Sequence, residues 1–229
     1  AAELVSSAQG GIGNDYISVG VGDGLTPDSD SLQAVINLIS GEINFDPTKK
    51  YLLDKTLTVN ASFAKGLFGN RATFIVDGDF PAFTINGGMV SGDSSPASTG
   101  STAKRIGGFR TDGLRAYSSD GVSGVGLAVS GMLHPRITNC DLTYLRKGIQ
   151  FSGRNRNVSI QGNNIFACKE WGVHFDSTCD IHQMNIVNNI ITYCARNIFL
   201  DDAAIYNLQI TGNDIETGEY LTGDSSARA

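Results

Sequence analysis

Between residues 126 and 215 one pattern returns four times, and that repeat limits the folds open to the chain. Its copies are Gly126-Leu127-Ala128-Val129-Ser130, Gly148-Ile149-Gln150-Phe151-Ser152, Gly172-Val173-His174-Phe175-Asp176 and Asn197-Ile198-Phe199-Leu200-Asp201. Each opens with a turn-forming residue, then alternates apolar and other positions as a short strand does. A second element keeps step, beginning at Ile137, Ile160, Ile186 and Ile210 and closing at Leu142, Ile165, Ile190 and Ile215. A spacing in the low twenties with at least two strands per period describes a solenoid, whose rungs bury their apolar faces only by stacking. Leucine-rich repeats share the period but need a denser leucine pattern than this one. The expected fold is all-β: a right-handed, single-stranded parallel β-helix with strands about 4.8 Å apart along its axis. Asn163, Asn188 and Asn213 fall at one place in successive rungs, where their amides can stack and bond turn backbone.

Composition narrows the partners. The net charge of −6 argues against a nucleic-acid backbone. No stretch is long and apolar enough to span a membrane, so no membrane insertion is expected. Cys140, Cys168, Cys179 and Cys194 form no C-x-x-C pair. The first, second and fourth sit in strand-rich rungs and read as reduced core thiols, while Cys179 falls in a turn region. With no nucleotide loop and no calcium-binding nonapeptide repeat, neither a cofactor nor a metal is expected. Residues 1–40 form an N-terminal segment with a capping helix over 31–39, where Leu32, Val35, Ile36 and Ile39 share a face and Gly41 stops it. Residues 41–229 form the β-helix, interrupted by a polar surface loop at 91–104. No amphipathic helix follows Ile215. The expectation is a piece that ends before its cap, or an end covered by a partner.

The stretch Gly22-Asp23-Gly24, Thr26-Pro27-Asp28, Asp30-Ser31 and Leu32-Gln33-Ala34 resembles the opening of the pectate-lyase-like β-helix superfamily. In that group a G-D-G-x-T-x-D stretch feeds a capping helix and then a strand pair. Ile43-Asn44-Phe45 and Tyr51-Leu52-Leu53 look like that pair. This chain departs from the usual opening in having Gly20-Val21 where Gly-Ala is common. Within the superfamily it most resembles bacteriophage tailspikes, homotrimers that bind and cut bacterial surface polysaccharide. The resemblance implies a bacterial polysaccharide partner, a homotrimer, and a virion-tail or extracellular location. It leaves three functions open: a depolymerase (hydrolase or lyase), a non-catalytic glycan-binding or structural β-helix of a virion fibre, and a secreted polysaccharide lyase or epimerase. The Asn-x-Asp, Asp-Asp and Gly-His-Gly set of polygalacturonases is missing.

The repeat register assigns faces. Leu127, Ile149, Val173 and Ile198 point inward, as do Val129, Phe151, Phe175 and Leu200; Ala128, Gln150, His174 and Phe199 point outward. Asp176 and Asp201 are outward mates in neighbouring rungs, with carboxyls expected within roughly 4–7 Å. Glycosidases hold carboxylate pairs at about 5–5.5 Å (retaining) or about 6.5–9.5 Å (inverting). Asp202 adds a third carboxylate, and aspartates ending strands also cap corners. Trp171, at a turn, offers a platform for a sugar ring or a face for a neighbouring subunit. Lys147, Lys169 and Arg196 can meet anionic sugars, with Glu170, Gln150 and Tyr193 as further ligands. His174 reads as a base, a sugar ligand or simply an exposed histidine.

Overall fold

The computed structural model describes residues 16, 17, 19–88 and 108–217. It is a right-handed parallel β-solenoid built from an eight-, a six- and a seven-stranded sheet, every pairing parallel. Each full rung contributes one strand to each sheet. The loop expected at 91–104 lies outside the described residues, as does the stretch after residue 217.

The alternation read from the repeat sets the register of the six-stranded sheet. Leu57, Phe83, Leu127, Ile149, Val173 and Ile198 form one inward column; Val59, Ile85, Val129, Phe151, Phe175 and Leu200 form the next. Identical aromatics in one column stack, so Phe151 lies 5.3 Å from Phe175 at an interplanar angle of 16°. Nearer the N-terminal end Phe45, Phe74 and Phe83 pack edge to face at 4.8 and 4.9 Å. Leu200 departs from its expected burial: it is 41% exposed. Its strand, Arg196–Leu200, is the outermost of the sheet, and no described strand stacks on its far side.

Gly126, Gly148 and Gly172 do not open turns, as their pattern suggested. They lie inside strands with ordinary φ, and space is what requires glycine. A Cβ on Gly148 would come within 2.6 Å of both the Gly172 carbonyl oxygen and Ile165 Cγ2. Gly126 and Gly172 face the carbonyl oxygens of Gly148 and Asn197 at the same 2.6 Å.

The asparagine column is real but shifted by one residue. Asn163, Asn189 and Asn213 form it, not Asn188. Asn163 donates through its backbone N–H and its Nδ2 to Asn189 Oδ1, each at 2.9 Å. Asn189 repeats both bonds to Asn213 Oδ1. Asn188 belongs with Gly113, Asn139, Gly162 and Gly212, a column in the left-handed region with φ from 54 to 67°. Asparagine tolerates that region best after glycine, so the two alternate there and blur the alignment. Ile191, not Ile190, is therefore the inward mate of Ile165.

The capping helix runs Ser29–Ile36, starting ahead of the expected position and stopping short of Ile39. Leu32, Val35 and Ile36 are buried in the core, and Ile39 packs against it from beyond the helix. The aspartate that ends the opening stretch has a physical reason. The buried Asp28 carboxylate accepts from the N–H groups of Val21 (2.7 Å) and Leu52 (3.3 Å), tying the entry loop to the first rung. A Cβ on Gly20, at φ 84°, would strike Asp28 Oδ1. All four cysteines are buried and free.

Candidate functional site

The outer face of the six-stranded sheet carries the cluster. Lys147, Trp171 and Arg196 are register mates in one column; Gln150, His174 and Phe199 are mates in the next. Trp171 begins the strand Trp171–Phe175 and so is not a turn residue. Its ring sits 3.9 Å from that of His174 and 5.3 Å from that of Phe199, nearly parallel to the latter at 18°. Lys147 Nζ lies 4.2 Å from the Trp171 ring centroid and the Arg196 guanidinium 4.5 Å from that of Phe199, so each outer ring faces a cation.

His174 points outward, as alternation requires, but it is not exposed. Trp171 covers it, leaving 3% of its surface accessible. Lys147 Nζ stands 3.4 Å from Nδ1 and donates to Gln150 Oε1 at 3.1 Å. An ammonium can only donate, so Nδ1 is the acceptor and the ring proton resides on Nε2. Nε2 has no hydrogen-bond partner among the described residues; Asp201 Oδ2 is 3.8 Å away. Burial, then the Lys147 charge, holds the imidazole below its usual value, against the pull of Asp176, Asp201 and Glu170. Burial also lowers the Lys147 ammonium, helped by Arg146.

Asp176 and Asp201 each follow a paired strand residue, Phe175 and Leu200. Asp176 Oδ1 accepts from the Thr178 N–H at 2.9 Å and from the Thr178 hydroxyl, closing an Asx turn. Asn60 and Asn86, earlier in the same outward row, close the same turn onto Ser62 and Gly88. The row thus reads asparagine, asparagine, serine, serine, aspartate, aspartate, and a corner role accounts for Asp176. Asp201 is half exposed beside His174, and Asp202 is an exposed corner residue at φ 52°.

The remaining candidates divide. Gln150 and Arg196 join the cluster. Glu170 is engaged by Arg146, which also holds Asp79 at 2.7 Å. Lys169 is exposed at the preceding corner. Tyr193 sits on the eight-stranded sheet, its ring 5.2 Å from Phe166, and so belongs to another face. Phe199 was read only as an outward residue, because alternation gives a direction and not what a side chain stacks upon. Among the described residues no group of three or more His, Cys, Asp or Glu side chains is placed to hold a metal ion.

Residues 90–227 match the family described as right handed beta helix region. The chain belongs to the right-handed β-helix family. A solved structure titled Geobacillus virus E2 - ORF18 superposes with a TM-score of 0.62 at 15% identity, over 84% of this chain. The chain spans 38% of the length of that viral protein, and at this identity the likeness is one of fold. No curated protein matches the chain. Among the described residues no helix is long and apolar enough to cross a membrane.

Proposed function

We propose that this β-helix binds a bacterial surface polysaccharide in the manner of a phage tailspike, using the outer face of its six-stranded sheet. The observation that carries this reading is the stack of Trp171, His174 and Phe199 with a cation against each outer ring. Sugar rings present apolar C–H faces that such a stack complements, and their hydroxyls or carboxylates find Gln150 and Arg196 at its edges, while the buried Lys147 backs the Trp171 ring. An acidic polysaccharide suits the exposed Arg196 best. A virion-tail or extracellular setting and a homotrimeric assembly belong to the same proposal, supported by the tailspike resemblance and the fold likeness to a viral protein.

Trp171 is the single tryptophan of the chain, so its fluorescence reports on this face directly. Capsular polysaccharide or lipopolysaccharide from candidate hosts should shift or quench that emission in a saturable way. Phe199→Ala should weaken binding about tenfold, equivalent to roughly 1.4 kcal/mol. Unchanged emission with every host glycan, alongside an unchanged melt, refutes the proposal.

A second reading, cleavage of the bound glycan, is favoured by one observation: the buried His174 Nε2 lacks a partner and faces Asp201 at 3.8 Å. In that reading Asp176 and Asp201 are the acid–base pair, with His174 and Asp202 in support. Asp201→Asn and Asp176→Asn should then abolish release of oligosaccharides while binding survives. An ultraviolet-absorbing unsaturated product would identify elimination rather than hydrolysis. Turnover near wild type in both variants removes the pair from the mechanism.

A further inference from the structure

The seven-stranded sheet has an outward groove that plays no part in the site above. Its three C-terminal strands, Arg154–Gln161, Asp180–Val187 and Ala204–Thr211, are each eight residues long. Each bends in the middle at a residue in the left-handed region: Asn157 (φ 53°), Gln183 (63°) and Asn207 (58°). His134, at φ 55°, continues that column one rung earlier, since Leu133 bridges to Arg156. Two residues further along, Asn185 and Gln209 are register mates. These six side chains line an open depression of about 510 Å³. That volume lies within the range of small-molecule sites, about 300–1,000 Å³.

We infer that this groove is a saccharide subsite for a neutral, linear glycan running along the solenoid axis. Three features of the groove support this. Five of its six lining residues are carboxamides and none is a carboxylate, lysine or arginine, so it offers donors and acceptors without a charge to match. The carboxamides recur once per rung, and the rung spacing of about 4.8 Å is close to the advance of one pyranose in an extended chain. A ring platform stands beside it: His182 and Tyr206, one residue upstream of Gln183 and Asn207, stack at 4.6 Å, and Tyr206 is 52% exposed.

The backbone adds a further argument. Glycine is the residue that adopts the left-handed region without strain. In the neighbouring left-handed column it alternates with asparagine, at Gly162 and Gly212. In this column it appears at none of the four positions. Of the four, only His134 and Asn157 contact each other, Asn157 Nδ2 lying 3.2 and 3.1 Å from the two His134 ring nitrogens. Gln183 and Asn207 are exposed. Asparagine suits the left-handed region next after glycine, but glutamine does not, so the turn alone does not account for the exposed amide of Gln183.

Glycine is therefore also the right probe. In the full chain, Gln183→Gly combined with Asn207→Gly removes two amides while suiting the local φ, so the melting temperature should hold or rise. Saturation-transfer NMR with maltohexaose, cellohexaose, laminarihexaose and mannohexaose, each up to about 10 mM, reads the binding. At least one hexasaccharide should bind wild type and Trp171→Ala alike, and the double glycine variant about tenfold more weakly. Persistence in Trp171→Ala separates this groove from the aromatic face, so either proposal can fail alone. No binding by any hexasaccharide overturns the inference, as does equal binding by the glycine variant. A lower melting temperature in that variant would make the amides structural, and loss of a wild-type oligomer would make the face a subunit contact; either result also overturns it.

Discussion

Gly148→Ala tests the steric account of the repeat at its most crowded glycine. The new methyl carbon would sit 2.6 Å from the Gly172 carbonyl oxygen and 2.6 Å from Ile165 Cγ2. An ordinary carbon–oxygen contact is longer by more than half an ångström. The carbonyl belongs to the next strand of a parallel ladder, so it cannot retreat alone without pulling on inter-strand bonds. Overpacking of this kind costs about 1–3 kcal/mol. In a chain of this length each kcal/mol lowers the melting temperature by about 2–4 °C, so the loss should be about 2–12 °C. Gly41→Ala is the control: nothing lies within 4 Å of its Cβ, its φ is not in the left-handed region, and it should be neutral or slightly stabilising. Thermal melts followed by far-ultraviolet circular dichroism, with Trp171 emission as a local probe, measure both. A Gly148→Ala protein that melts with the wild type would show that the repeat's glycines are dispensable and that the spacing argument is wrong.

Phe175→Ala should cost about 3–5 kcal/mol in chemical denaturation. Leu200→Ala, in the same column but 41% exposed, should cost well under half of that; equal losses would contradict the open-ended column. Asn189→Ala strands the two Asn163 donors it accepts and should cost several times more than Asn188→Gly, which only exchanges residues suited to φ 54°; similar melts for the two would undo the ladder assignment. His174 is held below its ordinary value, so the unfolded chain binds its proton more readily. Its contribution to stability is complete above about pH 6.5 and is lost as pH falls toward the folded value. Protonation should quench the adjacent Trp171, with a midpoint below 6.5 that moves upward in Lys147→Met; a wild-type midpoint above 6.5 would contradict the buried placement.

The parts of this fold that were legible in the sequence are those where one residue class recurs at fixed spacing. Leu127, Ile149 and Val173 announce an inward column because only apolar side chains fit there. The capping helix shows its buried face in Leu32, Val35 and Ile36. The asparagine column was misread by a residue because Asn188 replaces a left-handed glycine beside Asn189, and composition cannot tell one use of the amide from the other. The burial of His174 was invisible for a different reason. Alternation gives the side a residue faces, while its cover comes from Trp171, three positions earlier on the same strand and bent back over it. The groove at Gln183 and Asn207 was missed because histidine, asparagine and glutamine share a backbone conformation there and not a pattern.

The buried amide chain has a consequence for how such a molecule can change length. Each link joins one rung to the next across 23, 26 or 24 residues, yet the bonds are alike. The key that aligns a rung is thus indifferent to how much chain precedes it, and loops can grow or shrink at the corners without disturbing the stack. The key is also directional. Each Oδ1 accepts from the lower-numbered rung, Asn163 from Cys140, Asn189 from Asn163 and Asn213 from Asn189, while each Nδ2 donates back to a carbonyl of that same rung, at Ile137, Ile160 and Ile186. A rung gained by duplication would therefore slot in only in the same sense and only whole, so that the solenoid lengthens in discrete steps while its surfaces remain free to diversify.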